Sequence, residues 1–423
     1  MLYDNKFVDE TSRWTDYLWR HVRPQKMNMG DSGDLNMSCL PRCGWDSRKA
    51  LSDVVFAAAC AYLAIAALIA AAIATPAATV AASATPNAFD TAMPAASAAS
   101  PAAGKVLRVY FVDLEGGQAT LFVTPAGESL LIDTGWDGNN GRDADRIVAA
   151  AKSAGLAKID YVLITHFHED HVGGAPQLAA RIPIGTFIDH GGNRETGDAP
   201  TVQGWQAYQA MLATGKYTRI SAKPGDVVPI EGMHVDVISS DGDLIAKPLP
   251  GAGQENAACK ESETRPADKT ENLRSLGVLI TFGKLRILDL GDLTWDKEME
   301  LMCPANKLGK VDVYIVSHHG WQQSSSPALV WGIAPRVAIM DNGAKKGGTP
   351  STWDIIEKSP HLEDLWELHY SEEGGAAHNV AAEFIANPQG TDAGNYLELI
   401  GYADGGFDVF DSRTQETKKY AAR

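Results

Sequence analysis

A layered α/β fold, with sheets covered by helices, is what this sequence predicts, and three observations predict it. Short apolar or alternating runs recur from residue 106 onward, each bounded by glycine-containing turns, as strands are. Helical patterns fall between several of these runs, so strands and helices share one domain. The composition is 45% hydrophobic and 21% charged, which supplies a core and excludes a disordered chain.

The folded part is preceded by three stretches of different character. Residues 1–50 resemble no targeting signal, and Met27, Met29 or Met37 offers an alternative start, which leaves this extension unassigned. Arg48 and Lys49 then precede VVFAAACAYLAIAALIAAAIA (54–74), 21 residues without a charge. A basic flank, an apolar run and small-x-small sites such as Ala72-Ile73-Ala74 predict a secretory signal within 51–74. The run is long enough to span a bilayer, so a membrane tether is the rival reading. Either way the expectation is an exported protein, periplasmic or secreted. Residues 75–104 are almost wholly Ala, Pro, Ser and Thr, which cannot bury enough apolar surface to fold and read as a linker.

The domain is expected over 105–423. It opens with VLRVYFV (106–112), ATLFVT (119–124) and SLLIDTG (129–135), three strands. A helix is predicted over 142–154, with Ile147, Val148 and Ala151 on one side. YVLIT (161–165) is a short buried strand, and PQLAARI after Gly173 and Gly174 a helix. TFIDHGG (186–192), VDVISS (235–240), LGVLITF (276–282), LRILDLG (285–291), VDVYIVS (311–317) and RVAIMDN (336–342) continue the strand series. Residues 241–272, polar and rich in Pro, Gly, Lys and Glu, read as a long surface loop.

Charge and cysteines bound the partners and the compartment. The chain carries a formal net charge of −16, and 105–423 holds 29 basic against 44 acidic residues. So acidic a surface does not track a long nucleic acid unaided, which points to a small-molecule or phosphoester substrate held by local positive charge. Cys259 and Cys303 are the two cysteines of the domain and permit one disulfide, with two unpaired thiols as the alternative.

The chemistry concentrates in THFHEDHVGG (165–174). Three of the 11 histidines of the chain, His166, His168 and His171, fall within six positions beside Asp170. In extended backbone, His166 and His168 present both imidazoles to one face and can share a metal. Asp170 and His171 follow where the chain turns into a helix, aimed at a neighbouring position. The remaining ligands must come from other strand ends. Asp133, His190, Asp292 and the pair His318–His319 each stand at the end of an apolar run, close to a glycine. Active sites of layered α/β folds collect at such ends.

HxHxDH after a strand, preceded by LLIDTG and followed by GD and HHG, resembles the metallo-β-lactamase superfamily. The resemblance covers 105–423 and is strongest to the hydrolase domain of DNA-uptake competence (ComEC-type) proteins and related secreted enzymes. VYFVDLEGGQA (109–119), ENLRSLGVLITFGKLRILDLGDL (271–293) and VSHHG (316–320) carry it. It implies an αββα sandwich with two divalent ions, usually zinc. Carried over, His166, His168 and His190 hold one ion, with Asp189 as the alternative to His190. Asp170, His171 and His319 hold the other, and Asp292 bridges. His319 is chosen over His318 because it directly precedes Gly320; His318 then faces the substrate as a proton donor or oxyanion contact. Asp133 orients the histidine loop. Two ions so bridged generate hydroxide at ordinary pH, with Asp170 accepting the proton.

The sequence departs from the competence pattern in two places. Gln118 in LEGGQA stands where that family has an acidic residue, and Trp321 follows HHG in place of Ser. With no channel-forming segments, the expectation is a hydrolase that does not import DNA. Phosphoester bonds are the leading substrate class; a lactone, β-lactam or other carboxylic ester is the alternative, and a non-catalytic binding module the third. Trp205, Trp331, Trp353 and Trp366 are expected in the core and Trp321 at the pocket; His234 is expected to be structural, and His369 and His378 to be surface or core-edge residues, with a place lining the cleft as the alternative.

Overall fold

The computed structural model describes residues 105–388 and 392–423. The segments expected over 1–50, 51–74 and 75–104 lie outside the described residues. Among the described residues no helix is long and apolar enough to cross a membrane.

In chain order the strands are β1 (Leu107–Phe111), β2 (Thr120–Val123), β3 (Ser129–Ile132), β4 (Ile159–Leu163), β5 (Ile184–Asp189) and β6 (Thr218–Ser221). Then come β7 (His234–Ser240), β8 (Asp243–Leu244), β9 (Gly277–Phe282), β10 (Leu285–Asp289), β11 (Val313–Ile315), β12 (Val337–Met340), β13 (Asp364–His369) and β14 (Ile385–Asn387). The chain closes with β15 (Leu397–Gly401), β16 (Phe407–Asp411) and β17 (Glu416–Tyr420). One sheet runs β17-β16-β15-β1-β2-β3-β4-β5-β6 and the other β14-β13-β12-β11-β10-β9-β7-β8. Every strand foreseen from the sequence is present. β6, β8 and the five strands from Asp364 onward are additional.

Alternation within each strand decides where the core sits. Leu107, Val109 and Phe111 face Val278, Ile280 and Ile287 of the opposite sheet, in one buried cluster between the sheets. The neighbouring residue Tyr110 points the other way, into a second cluster with Ala144, Ile147 and Val148 of helix α1 (Arg142–Ser153). On the far side Leu279 and Leu288 pack with Leu301 of α5 (Trp295–Met302) and Leu329 of α6 (Pro327–Ile333). Each fully buried Leu, Ile, Val or Phe stabilises by roughly 1.5–3 kcal/mol. The layers are therefore helix, sheet, sheet, helix.

The shorter helices α2 (Glu169–Val172) and α3 (Ala175–Ala179) follow β4 directly, α4 (Ala199–Leu212) precedes β6, and α7 (Pro350–Glu357) precedes β13. Asp198 caps α4 by accepting from Thr201 N at 3.0 Å, the usual means of satisfying a first-turn N–H. Cys259 and Cys303 form a disulfide, which ties the long polar loop to the end of α5. That loop carries a short 3-10 turn at Ala257–Glu261.

The parallel pairs β3–β4–β5 and β10–β11–β12 end on the same edge of the sandwich. Asp133, His166, His190, Asp292 and His319 each follow the end of one of these strands.

Candidate metal centre

Four turns build the centre. The first follows β3, where Asp133 adopts φ +61°, a left-handed conformation that Asp tolerates better than most residues. Its Oδ1 accepts from Thr165 N at 2.8 Å, and its Oδ2 faces Thr165 Oγ1 and His171 Nδ1, each at 2.7 Å. The second turn carries the histidine cluster: His166 lies between β4 and α2, His168 precedes the first residue of α2, and Asp170 and His171 belong to it. The third follows β10, where Gly291 passes so close to Thr165 that a Cβ would stand 2.8 Å from the Thr165 Cβ. Only glycine brings Asp292 that near the histidine turn. The fourth, Ser317–Gly320, holds His318 at φ +57° and His319 at φ +54°. Two consecutive non-glycine residues in the left-handed region are strained, as such residues are at functional sites.

These turns bring two donor groups together. In one, Asp170 Oδ2 lies 3.2 Å from His171 Nε2 and 3.1 Å from His319 Nε2. The two imidazole nitrogens are 3.2 Å apart, and Asp292 reaches them at 3.3 and 3.8 Å. In the other, His166 Nε2 is 3.0 Å from His168 Nδ1 and 3.8 Å from Asp292 Oδ2. Within each group all donor atoms lie within 4.8 Å of one another, and Asp292 is common to both. Ligands at about 2.0–2.2 Å around a tetrahedral ion stand about 3.3–3.6 Å apart, which these separations match. Asp292 Oδ1 is buried without a hydrogen-bond partner, an orphan that a cation would satisfy.

The far nitrogen of each ring is already engaged, which leaves the near one to face the centre. His166 Nδ1 meets Thr165 Oγ1 at 3.1 Å, His168 Nε2 meets Glu195 at 3.0 Å, and His319 Nδ1 meets the Asp341 carbonyl at 3.1 Å. With Asp133 on His171 the set is complete, and such partners fix ring orientation and tautomer.

The charges are strongly coupled. Burial alone would raise Asp292, but the rings of His171, His318 and His319 hold it far below the usual carboxylate range. Burial opposes charge on His171, yet Asp292 and Asp133 raise it to about 10, so a bound cation would displace a proton there. Burial, and then the rings of His171 and His168, push His166 well below its ordinary value. His318 falls to about 4 through burial, against the pull of Asp292, and is neutral at pH 7.

The other expected site residues fall as follows. His318 Nε2 stands 3.4 Å from Asp292 Oδ2 and 3.4 Å from Asn272 Nδ2, with its ring edge-on to Trp321 at 5.5 Å. Trp321 is half-buried beside the centre, where it was expected. His190, assigned to an ion by the resemblance, lies outside both donor groups. Its Nε2 is held by Glu271 at 2.9 Å, and its ring packs on Phe167. Asp189 is not its substitute, because Arg219 at 2.7 Å and Tyr208 at 2.9 Å occupy that carboxylate. Gln118 approaches Asp289 at 3.4 Å, beneath the histidine loop. A third set, Asp113, Glu115 and His369, is filled by its own contacts: His369 bonds Asp113 at 2.6 Å and Arg146 pairs with it at 3.1 Å.

Three side chains around the centre escaped the sequence reading. Glu195 and Glu271 sit in polar loops, with no spacing that ties them to His168 or His190. Lys346 lies in GAKKGG; its Nζ donates to Gly116 O at 3.0 Å and pairs with Asp170 Oδ2. Burial lowers the Lys346 pKa, while the carboxylate against it favours the charged form.

Residues 113–254 match the family model described as Metallo-beta-lactamase superfamily. The chain is similar to Recombination protein 2 of Haemophilus influenzae, 24% identical over 260 residues, which are 61% of this chain and 26% of that protein. It is also similar to Hydroxyacylglutathione hydrolase of Acidiphilium cryptum, 28% identical over 167 residues, 37% of this chain and 58% of that one. A UPF0173 metal-dependent hydrolase of Cupriavidus necator is 30% identical over 133 residues, 30% of this chain and 38% of the relative. The chain thus spans less than two thirds of each of these relatives. Among solved structures it is similar to the metallo-beta-lactamase fold protein YhfI from Bacillus subtilis, at TM-score 0.37 and 13% identity, over 62% of this chain and 95% of that one.

Proposed function

We propose that this chain, which carries a metallo-β-lactamase superfamily domain, is an exported metal-dependent hydrolase of phosphoester bonds. One observation carries the reading: Asp170, His171, Asp292 and His319 converge in a buried group of donor atoms. A binding module has no need of such a set. Asp170, His171 and His319 would hold one divalent ion and His166 with His168 another, with Asp292 between them. Mixed imidazole and carboxylate donors suit zinc, with iron or manganese as alternatives. Bound there, the ions would lower the pKa of a shared water toward neutrality and polarise the scissile bond.

The side chains around the centre divide the remaining work. Asp133, Glu195, Thr165 and the Asp341 carbonyl keep the four rings turned inward. His318, neutral and aimed at Asp292, offers a ring nitrogen to a substrate oxygen or leaving group. Asp170 is placed to take a proton from the attacking water.

The resemblance of the HxHxDH, GD and HHG motifs to the competence-type hydrolase domain favours a phosphodiester, and the acidic composition favours a small one. Similarity to Hydroxyacylglutathione hydrolase favours a second reading, a thioester or related carboxylic ester. Export is supported by the apolar run 54–74 and by the Cys259–Cys303 bridge, since disulfides persist in oxidising compartments.

The test is elemental analysis of the purified chain, then a panel of bis-p-nitrophenyl phosphate, nitrocefin, a lactone and a thioester. About two ions per chain and turnover of the phosphodiester are expected. Turnover of the carboxylic substrates alone would transfer the assignment to the second reading. A folded protein that binds no metal would end both.

A further inference from the structure

We infer that Lys346 is the specificity-determining residue of this centre, its ammonium taking a non-bridging anionic oxygen of a phosphodiester. The inference deepens the function proposed above and rests on it.

The position of Lys346 is locked to the donor set. Gly348 N donates to His319 O at 2.9 Å, and Gly343 N closes the loop onto Lys346 O at 2.9 Å. Gly347, at φ +82°, lies so close that a Cβ would stand 1.9 Å from His319 O. No other residue fits there, so the loop after β12 is pressed onto a metal-facing histidine. From it Lys346 reaches Asp170 in the turn after β4 and Gly116 in the turn after β1.

The ammonium has capacity left over. It carries three N–H donors. One goes to Gly116 O and one to Asp170 Oδ2, and the third has no partner among the described residues. Its side chain keeps 17% exposure, so it is open to a ligand. Trp136 at 4.9 Å and Trp321 at 5.9 Å from Nζ, both half-buried, wall it on two sides. Those rings attract the cation and lower the local dielectric, which strengthens its hold on an anion.

The charge count points the same way. Asp170 balances Lys346 in the protein alone, but a dication on Asp170 would claim that carboxylate. The lysine charge is then left without a carboxylate of its own, in a chain that is otherwise acidic with a net charge of −16. An anionic substrate oxygen would offset it.

The experiment compares the zinc-loaded full chain with Lys346→Met, which keeps the length and removes the charge. The substrates are bis-p-nitrophenyl phosphate, a monoanion, and ethyl paraoxon, a neutral triester with the same leaving group. One charge-assisted hydrogen bond predicts a KM for the diester raised about tenfold or more, with kcat within about threefold. The triester should be unaffected within about threefold, and zinc content should stay at the wild-type level. Calorimetry with inorganic phosphate should show binding about tenfold weaker in Lys346→Met and largely restored in Lys346→Arg. Equal losses on both substrates together with lost zinc would overturn the inference, since Lys346 would then only hold Asp170. If the wild type turns over neither substrate, the proposed function fails, and the phosphate titration still decides this inference: unchanged affinity overturns it. Lys346→Gln serves the same comparison should Lys346→Met not fold.

Discussion

Asp133→Asn replaces one oxygen of a fully buried group by an amide nitrogen and leaves its shape intact. Asn tolerates the left-handed conformation at φ +61°, so the backbone need not move. Oδ1 can still accept from Thr165 N, now at 2.8 Å. The new NH2 faces His171 Nδ1 and Thr165 Oγ1, which both stand 2.7 Å from the present oxygen. The threonine hydroxyl can rotate and accept, but the imidazole relieves the clash only by giving up its Nδ1 proton and keeping the one on Nε2. That nitrogen lies 3.2 Å from Asp170 and 3.3 Å from Asp292 and is the one that would donate to an ion. Losing such a partner costs about 10–100-fold in metal affinity, equivalent to about 1.4–2.7 kcal/mol. The metal-free fold should lose about 1.5–3 kcal/mol for the charge-assisted bond to His171. Asp133→Ala should lose roughly 1–2 kcal/mol more, because alanine pays for the left-handed backbone. Zinc calorimetry at fixed pH measures the first quantity, and urea unfolding of the metal-depleted chain the second. If Asp133→Asn bound zinc within about twofold of wild type, the tautomer reasoning would be refuted, whatever happened to stability.

Other contacts make equally separable predictions. Glu195→Ala frees His168 Nε2, now 3.0 Å from that carboxylate, and should weaken one of the two ions about tenfold or more while sparing the other; a biphasic zinc titration checks this. His190→Ala should keep its metal and lose about 1–3 kcal/mol of stability by leaving Glu271 short of a partner, whereas His166→Ala should lose an ion. A stable His190→Ala lacking one ion would restore that histidine to the ligand set. Burial raises Glu298 from its ordinary 4.5 to about 7, although it accepts from Ser325 N at 2.7 Å and Ser326 N at 2.6 Å. A raised folded pKa means a contribution present below pH 4.5 and lost as pH climbs through about 7, at most about 3 kcal/mol. Urea unfolding across that window should therefore show a pH slope in wild type that Glu298→Gln reduces, and parallel slopes would refute it.

What could be read from the sequence follows the range of the interactions involved. Strands β1 to β5, β7 and β9 to β12 announce themselves because burial on one or both faces writes apolar runs into neighbouring residues. β15 to β17 do not. FDVFD alternates and ETKKY is mostly polar, because both lie toward one edge of their sheet and close it only by pairing β15 with β1, Gly401 against Leu107. The centre divides in the same way. His166, His168, Asp170 and His171 are legible because one turn presents them all, and Asp292 and His319 because they end apolar strands beside glycine. The carboxylates on His168 and His190 lie 27 and 81 residues from their rings, and Lys346 lies 176 residues from Asp170. No periodicity spans such distances. His190 shows the consequence: its place at the end of β5 suits a ligand, yet Glu271 lies within reach of its Nε2 and the ring stands outside both donor groups. A strand end predicts where a side chain begins, and the loops arriving from the other sheet decide which atom it meets.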